Sequence, residues 1–273
     1  LRLPPGPRRV SAPLPVGRHV VQARARGPGG RRASGPVRLW VLPRSAARAG
    51  RIPGWVDPRL QAEVASLARG LPAVSGVYVQ HLVTGCGAAV NAGVRFPAAS
   101  TLKAAILVEA VRQAGGRPGG ALARLLDEMI LDSSDRAANA VLAALGTRGA
   151  PGPDDVTALL RGLGLQASLV RRPYIIEDAR RPLPIDARAY PALRTNFVST
   201  PYELGRLMVA IHRAALGRGA LPRLGVSART ARVEILPRLL AVRDASKMVR
   251  GLPRGTLAAH KTGYTREVKH DAG

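Results

Sequence analysis

Three short stretches of the sequence contain residues whose types and spacing suit nucleophilic chemistry. In FPAASTLKAAILVEA (96–110), Ser100 precedes Lys103 by three positions. Residues three apart on a helix lie roughly 5–6 Å apart at Cβ, so the hydroxyl and the amine would meet. An apolar run follows Lys103, and burial lowers the pKa of a lysine, which makes its amine a usable base. The pair predicts an activated serine nucleophile; taken alone, it is also compatible with a helix N-terminus and a solvated lysine.

Two further motifs follow Ser100 and Lys103 along the chain. MILDSSDRAAN spans residues 129–139, and HKTG spans residues 260–263. S-x-x-K, an S-D-N-like triplet and K-T-G together mark class A serine β-lactamases and penicillin-binding proteins. From about Trp55 to its C-terminus the chain therefore resembles this family, specifically its class A β-lactamase branch. The flanking segments STPYELGRLMVAI and LPRGTLAAHKTGYT are also similar to the family.

The resemblance assigns the chemical step to the first and third motifs. It implies that Ser100 is the acylated nucleophile and that Lys103 accepts its proton. Lys261 would place positive charge near the lactam, and this like charge would help to keep Lys103 neutral.

The same resemblance implies a substrate-binding role for the end of the third motif. Thr262 would bind the substrate carboxylate. Tyr264, which follows Gly263, would contribute a backbone N–H that joins the N–H of Ser100 in an oxyanion hole.

The second motif can be read in two registers. Counting from the AAN that ends at Asn139 makes Ser133 the proton-shuttling serine and puts Asp135 at the position of the family's asparagine. Starting from Ser134 instead puts Arg136 at that position. The sequence leaves both registers open, and the AAN anchor favours the first.

The loop before STP departs from the family pattern. A Glu-x-x-Leu-Asn segment is expected there, and its glutamate would activate the deacylating water. YPALRTN (190–196) keeps the leucine and the asparagine but has no glutamate. Glu177, Asp178 and Asp186 lie upstream, where solvated loop charges are the simpler interpretation. Without that base a long-lived acyl-enzyme is expected, as in a penicillin-binding D-Ala-D-Ala peptidase or a slow serine hydrolase.

The elements that must position these residues divide the chain into three parts. Strand-like alternation in HVVQARAR (19–26) and PVRLWVLP (36–43) predicts a β-hairpin within residues 1–42, weakly similar to the end of an Ig-like sandwich. Residues 43–54 have the composition of a linker. Residues 55–273 predict a mixed α/β (α+β) domain, and the resemblance implies a β-lactamase/transpeptidase-like fold with helices packed on an antiparallel sheet. The first predicted element of this domain is a helix capped by Asp57, with Leu60, Val64 and Leu67 on its apolar face. The others are strands in SGVYVQHLVTG and AAVNAG, helices from about 100 and at 119–131, 134–145, 154–164 and 199–216, and a strand at 256–265.

Composition excludes several other classes of function. The formal net charge is +25, but only four of the 42 basic residues are lysines, and aromatic residues make up 3%. A spread of arginines without a nucleic-acid motif favours compositional bias over specific nucleic-acid binding. Cys86 is the single cysteine, and the five histidines show no metal-ligand spacing, so no metal or cofactor is predicted. No apolar run is long enough to span a membrane.

The predicted partner is a small molecule, either a β-lactam or a peptide that resembles a peptidoglycan stem. We expect a monomer that acts outside the cytoplasm. The chain starts at a leucine and ends soon after the third motif, so we expect a piece of a longer protein whose export signal and closing strands lie beyond it. An alternative of a different class is a non-catalytic protein that binds the cell wall or polyanions.

Overall fold

The computed structural model divides the chain into two compact units, residues 1–44 and 45–273. It describes residues 17–22, 24–27, 30–41, 56–71, 73–146, 152–174, 195–266 and 268–273. The predicted linker at 43–54 lies outside these residues.

The first unit contains the predicted hairpin as two antiparallel strand pairs, β1 with β4 and β2 with β3. The likeness to an Ig-like sandwich stays a prediction. The four strands are Gly17–Val21 (β1), Arg24–Gly27 (β2), Gly30–Ala33 (β3) and Val37–Val41 (β4).

The second unit contains three groups of short antiparallel strands. The strands are Val77–Gln80 (β5), Gly87–Val90 (β6), Phe96–Pro97 (β7), Leu169–Val170 (β8), Phe197–Ser199 (β9), Lys261–Tyr264 (β10) and Lys269–Ala272 (β11). One pair is β5 with β6, a second is β10 with β11, and β9 lies between β7 and β8. The β7–β9 pairing places the segment that leads to Ser100 against the segment that leads to the predicted STP helix.

Helices supply most of the core, and the first helix of the second unit begins at its predicted cap. The helices are Pro58–Gly70 (α1), Lys103–Gln113 (α2), Gly120–Leu131 (α3), Asp135–Leu145 (α4), Gly152–Gly162 (α5), Pro201–Ala215 (α6), Ala220–Arg223 (α7), Ala228–Thr230 (α8) and Leu236–Leu240 (α9). Asp57 accepts hydrogen bonds from the first-turn amides of α1, while Ser134 and Thr200 cap α4 and α6. Such caps satisfy amides that have no partner inside the helix.

Helix α2 lies at the centre of the second unit. Its residues from Lys103 to Val111 are all buried, so the helix is covered on every side. Helices α3, α4 and α5 pack around it. Because Lys103 is the first residue of this helix, the packing around the helix also buries its side chain.

Two predicted elements are shorter than the sequence suggests, and one predicted apolar face is partly exposed. Ser100 lies on a 3₁₀ turn, Ala99–Leu102, that precedes α2. The predicted strand at 256–265 is present only as β10, because Thr256 closes a turn onto the carbonyl of Pro253 instead. Leu67, predicted on the apolar face of α1, is 72% exposed. Within the described part of the chain, no helix combines the length and apolarity needed to cross a membrane.

Candidate active site

The 3₁₀ turn before α2 holds Ser100 in a constrained backbone. Ala99 has a φ of 48°, a left-handed conformation that is uncommon for a residue with a side chain. Thr101 ties the turn to the segment before it, because its hydroxyl donates to the carbonyl of Ala98 at 2.6 Å. Such conformations persist where the surrounding structure fixes them. The turn thereby presents the Ser100 hydroxyl at the N-terminal end of α2.

The amine of Lys103 is fully buried, with 0% of the residue exposed. Its Nζ is hydrogen bonded to Oγ of Ser100 at 3.1 Å, to the carbonyl of Ser133 at 2.5 Å and to Oδ1 of Asp135 at 2.5 Å. Burial lowers the pKa of Lys103, while the charge and the hydrogen bond of Asp135 oppose that change. The predicted contact between the serine and the lysine is therefore present, in surroundings that disfavour a charged amine.

Ser133 connects the two lysines of the site. Its Oγ lies 2.9 Å from Nζ of Lys261 and 3.5 Å from Nζ of Lys103. Ser133 also has a positive φ, 58°, at the loop between α3 and α4. A hydroxyl that contacts two amines can receive a proton from one side and give one up on the other.

The geometry distinguishes the two registers of the second motif. Ser133 and Asp135 both contact the Lys103 amine. The side chain of Ser134 instead accepts a hydrogen bond from the amide of Ala137 as the cap of α4. The first register is thus the one that brings its residues to the nucleophile's lysine.

Lys261 enters the site from strand β10. It is fully buried, and burial followed by the charge of Lys103 lowers its pKa to about 7. The strand passes very close to the nucleophile's backbone, because a Cβ added to Gly263 would lie 2.9 Å from the amide nitrogen of Thr101 and 3.0 Å from that of Ser100. The K-T-G glycine therefore permits the approach that brings Lys261 to Ser133.

These side chains line a cavity of about 500 Å³. Ser100, Ser133, Asp135 and Thr262 face it, and Tyr264 lies at its margin, exposed to solvent. Thr262, predicted to bind a substrate carboxylate, lies close enough to Asp244, a carboxylate of the protein, to help lower the pKa of Asp244. A cavity of this size matches a small-molecule site.

Tyr174 belongs to the site, although sequence reasoning did not find it. Its ring lies 4.6 Å from Nζ of Lys103, and it stacks on Phe197 at 3.8 Å between centroids. Asn139 fixes its backbone, accepting from the amide of Tyr174 at 2.6 Å and donating to its carbonyl at 2.8 Å. In the sequence, Asn139 of the AAN anchor was the one residue that could have indicated this contact.

The acidic residues considered as deacylating bases cannot be placed in this geometry. Glu177, Asp178 and Asp186 lie outside the described residues.

Comparison with solved structures gives the same fold for most of the chain. A beta-lactamase from Streptosporangium roseum matches with a TM-score of 0.60 and 21% identity, over 77% of this chain and 80% of that one. An ancestral class A beta-lactamase matches with a TM-score of 0.59 and 24% identity, over 78% and 83%. A penicillin-G acyl-enzyme complex of a point mutant of PBP-A matches with a TM-score of 0.58 and 23% identity, over 78% and 80%.

The predicted β-lactamase/transpeptidase-like fold is therefore confirmed. No curated protein matches the sequence. The sequence pattern of the beta-lactamase enzyme family, in contrast, matches residues 59–117 and 120–273, which include all three motifs. The family pattern matches most of the chain, and the solved structural neighbours share its fold. This protein therefore belongs to the beta-lactamase enzyme family.

Proposed function

We propose that the protein is a serine hydrolase that opens β-lactam amides through an acyl-enzyme on Ser100. The observation that carries the proposal is the fully buried amine of Lys103, hydrogen bonded to the Ser100 hydroxyl at 3.1 Å beside a cavity of about 500 Å³. Family membership supports a small-molecule substrate. The penicillin-G acyl-enzyme of PBP-A, a structural neighbour, supports the covalent step.

The contacts support a proton path for the proposed acylation. Oγ of Ser100 attacks the lactam carbonyl carbon, and its proton moves to the neutral amine of Lys103. When the carbon–nitrogen bond breaks, the leaving nitrogen takes the hydroxyl proton of Ser133. Ser133 regains a proton from the ammonium of Lys103 or Lys261, both within hydrogen-bond distance of its Oγ. Water then hydrolyses the ester, which frees the acid product and restores Ser100.

A second candidate function is acylation with very slow release, as in a penicillin-binding peptidase. Tyr174 favours it, because its ring covers the Lys103 amine and is held there by Phe197 and Asn139. Burial raises the pKa of the Tyr174 phenol well above its ordinary value, so at neutral pH it is no base for a deacylating water. Within the described residues, Asp135 is the carboxylate that contacts Lys103.

One experiment tests acylation and separates the two candidates. The protein is mixed with benzylpenicillin and its intact mass is followed with time, alongside Ser100→Ala. We expect an adduct that is absent from the variant. Rapid disappearance of the adduct with release of penicilloate supports the hydrolase, and persistence supports the penicillin-binding function. A protein that forms no adduct and does not cleave a chromogenic cephalosporin would contradict both.

The proposal extends to where the protein acts. β-Lactams and peptidoglycan stems occur outside the cytoplasm, so we propose an exported protein. Fractionation of cells that express the full reading frame would check this. Recovery of the protein in the cytoplasm would contradict it.

A further inference from the structure

Carboxylates outnumber basic side chains in the described lining of the cavity beside Ser100, although the protein as a whole is strongly basic. Five charged residues of the described part of the chain line this cavity, and three of them are carboxylates, whereas the chain carries a net charge of +25. Two of the three carboxylates have cationic partners that the proposed function does not require to be neutral: Asp132 pairs with Arg243, and Asp244 pairs with Lys247. The third carboxylate, Asp135, has a different kind of partner.

The partner of Asp135 is Lys103, the amine that the proposed function requires in its neutral form. The side chain of Asp135 is 42% exposed and faces the cavity, while the Lys103 side chain is fully buried. When Lys103 is neutral, the charge of Asp135 has no counter-ion on the protein side of this pair. An ionised carboxylate only accepts hydrogen bonds, so it attracts a donor and repels a carbonyl oxygen.

Asp135 lies close to the serine that the proposed function acylates. Its Oδ1 and the Oγ of Ser100 are both hydrogen bonded to the same atom, Nζ of Lys103, at 2.5 and 3.1 Å. A group that contacts Asp135 is therefore near the carbonyl carbon that Ser100 attacks. A side chain next to the reacting carbonyl is a part of a lactam or peptide within this reach, and it can carry an ammonium group.

We propose that Asp135 selects substrates that carry an ammonium group on the side chain next to the reacting carbonyl, an inference that rests on the proposed acylation of Ser100. Such a substrate replaces the counter-ion that Asp135 loses when Lys103 is neutral. Its charge also weakens the pull of Asp135 on the Lys103 proton, so binding and activation of the base support each other. The class comprises α-amino acyl lactams and peptides with a free amino group near the scissile bond.

A matched pair of penicillins tests this. Ampicillin and benzylpenicillin share the lactam and differ by one α-amino group. We expect the second-order acylation rate, followed by intact mass, to be about tenfold or more higher for ampicillin near pH 6.5, where the amine is charged. The advantage should decrease as the pH rises past the amine's pKa, near 8.

Asp135→Asn supplies the decisive variant. Because each variant is characterised by the ratio of its two rates, changes in Lys103 chemistry that are common to both substrates cancel. We expect the ratio to fall to about one in Asp135→Asn and to stay at the wild-type value in Asp132→Asn, whose carboxylate is already paired. Equal rates for the two penicillins in the wild type would overturn the inference while leaving acylation intact. No adduct with either would overturn the proposed function instead.

Discussion

The carboxylate of Asp135 lies 2.5 Å from the buried amine of Lys103, so a charge that favours protonation touches a base that must lose its proton. Burial lowers the pKa of Lys103, and Asp135 opposes this. In the proposed mechanism, the balance between the two effects sets the pH at which Ser100 is activated. The Asp135 carboxylate also distinguishes this site from the family pattern, which has a neutral asparagine at this position.

The first prediction concerns pH. Removing the Asp135 charge removes an effect that raises the pKa of Lys103, so the amine becomes neutral at lower pH. In Asp135→Asn the acidic limb of the acylation rate with benzylpenicillin should therefore shift to lower pH. The charge of Lys103 also lowers the pKa of Lys261, so we expect both amines to contribute to this limb. An unchanged limb, or a shift to higher pH, would show that Asp135 does not control the proton on this base.

The second prediction compares adjacent serines. Ser133→Ala removes the hydroxyl between Lys103 and Lys261, and we expect acylation to slow by roughly 10²–10⁴-fold, the range for a lost proton-transfer group. Ser134→Ala removes the α4 cap, so it should cost about 1 kcal/mol of unfolding free energy with little change in acylation. Burst kinetics and thermal unfolding measure the two effects. The reverse result would favour the register that starts at Ser134.

The third prediction separates activity from stability at Lys103. Lys103→Met keeps the length of the side chain but removes the base, so acylation should fall by roughly 10²–10⁴-fold. The melting temperature should not fall, because an apolar side chain avoids the cost of burying an amine and Asp135 remains partly solvated.

Lys269→Met is the control for Lys103→Met, because Lys269 is exposed on β11. It should retain the wild-type acylation rate. A Lys103→Met protein that still acylates at that rate would exclude the amine as the base.

The fourth prediction tests the contact between β10 and the nucleophile. A methyl group at Gly263 would meet the amides of Ser100 and Thr101, backbone atoms that cannot move aside cheaply. Gly263→Ala should therefore displace the strand and slow acylation by about tenfold to a hundredfold. At Gly251 an added Cβ meets open space, so Gly251→Ala should have the wild-type rate. Equal rates for the two variants would mean that the close approach has no catalytic role.

The fifth prediction concerns release of the acyl group. Tyr174 is held beside Lys103 by its backbone contacts with Asn139, so a carboxylate at this position would be directed toward the same space. Tyr174→Glu should speed deacylation by at least about tenfold, because it introduces a base for water. The lifetime of the penicilloyl adduct measures this.

Tyr174→Phe is the control for Tyr174→Glu. It keeps the ring and adds no base, so it should leave the adduct's lifetime unchanged. If Tyr174→Phe and Tyr174→Glu shortened the lifetime equally, removal of the phenol rather than addition of a base would be responsible.

Motifs and local patterns in the sequence predicted the family, the fold class and most of the helices. Helix geometry is local, so the i to i+3 spacing of Ser100 and Lys103 was enough to predict that their side chains meet. The apolar run after them was enough to predict that Lys103 is buried. The cap at Asp57 follows from local hydrogen bonding in the same way. The order of the three motifs then identified the family.

What surrounds Ser100 depends on the packing of segments that are distant in the chain. The register of the second motif depends on which side chain of the loop after α3 reaches Lys103, a contact 30 residues distant in sequence. Tyr174 is brought to the amine by Asn139, 35 residues away. Long-range contacts of this kind depend on how α2, α4 and β10 pack together, and no local pattern of residue types records that packing.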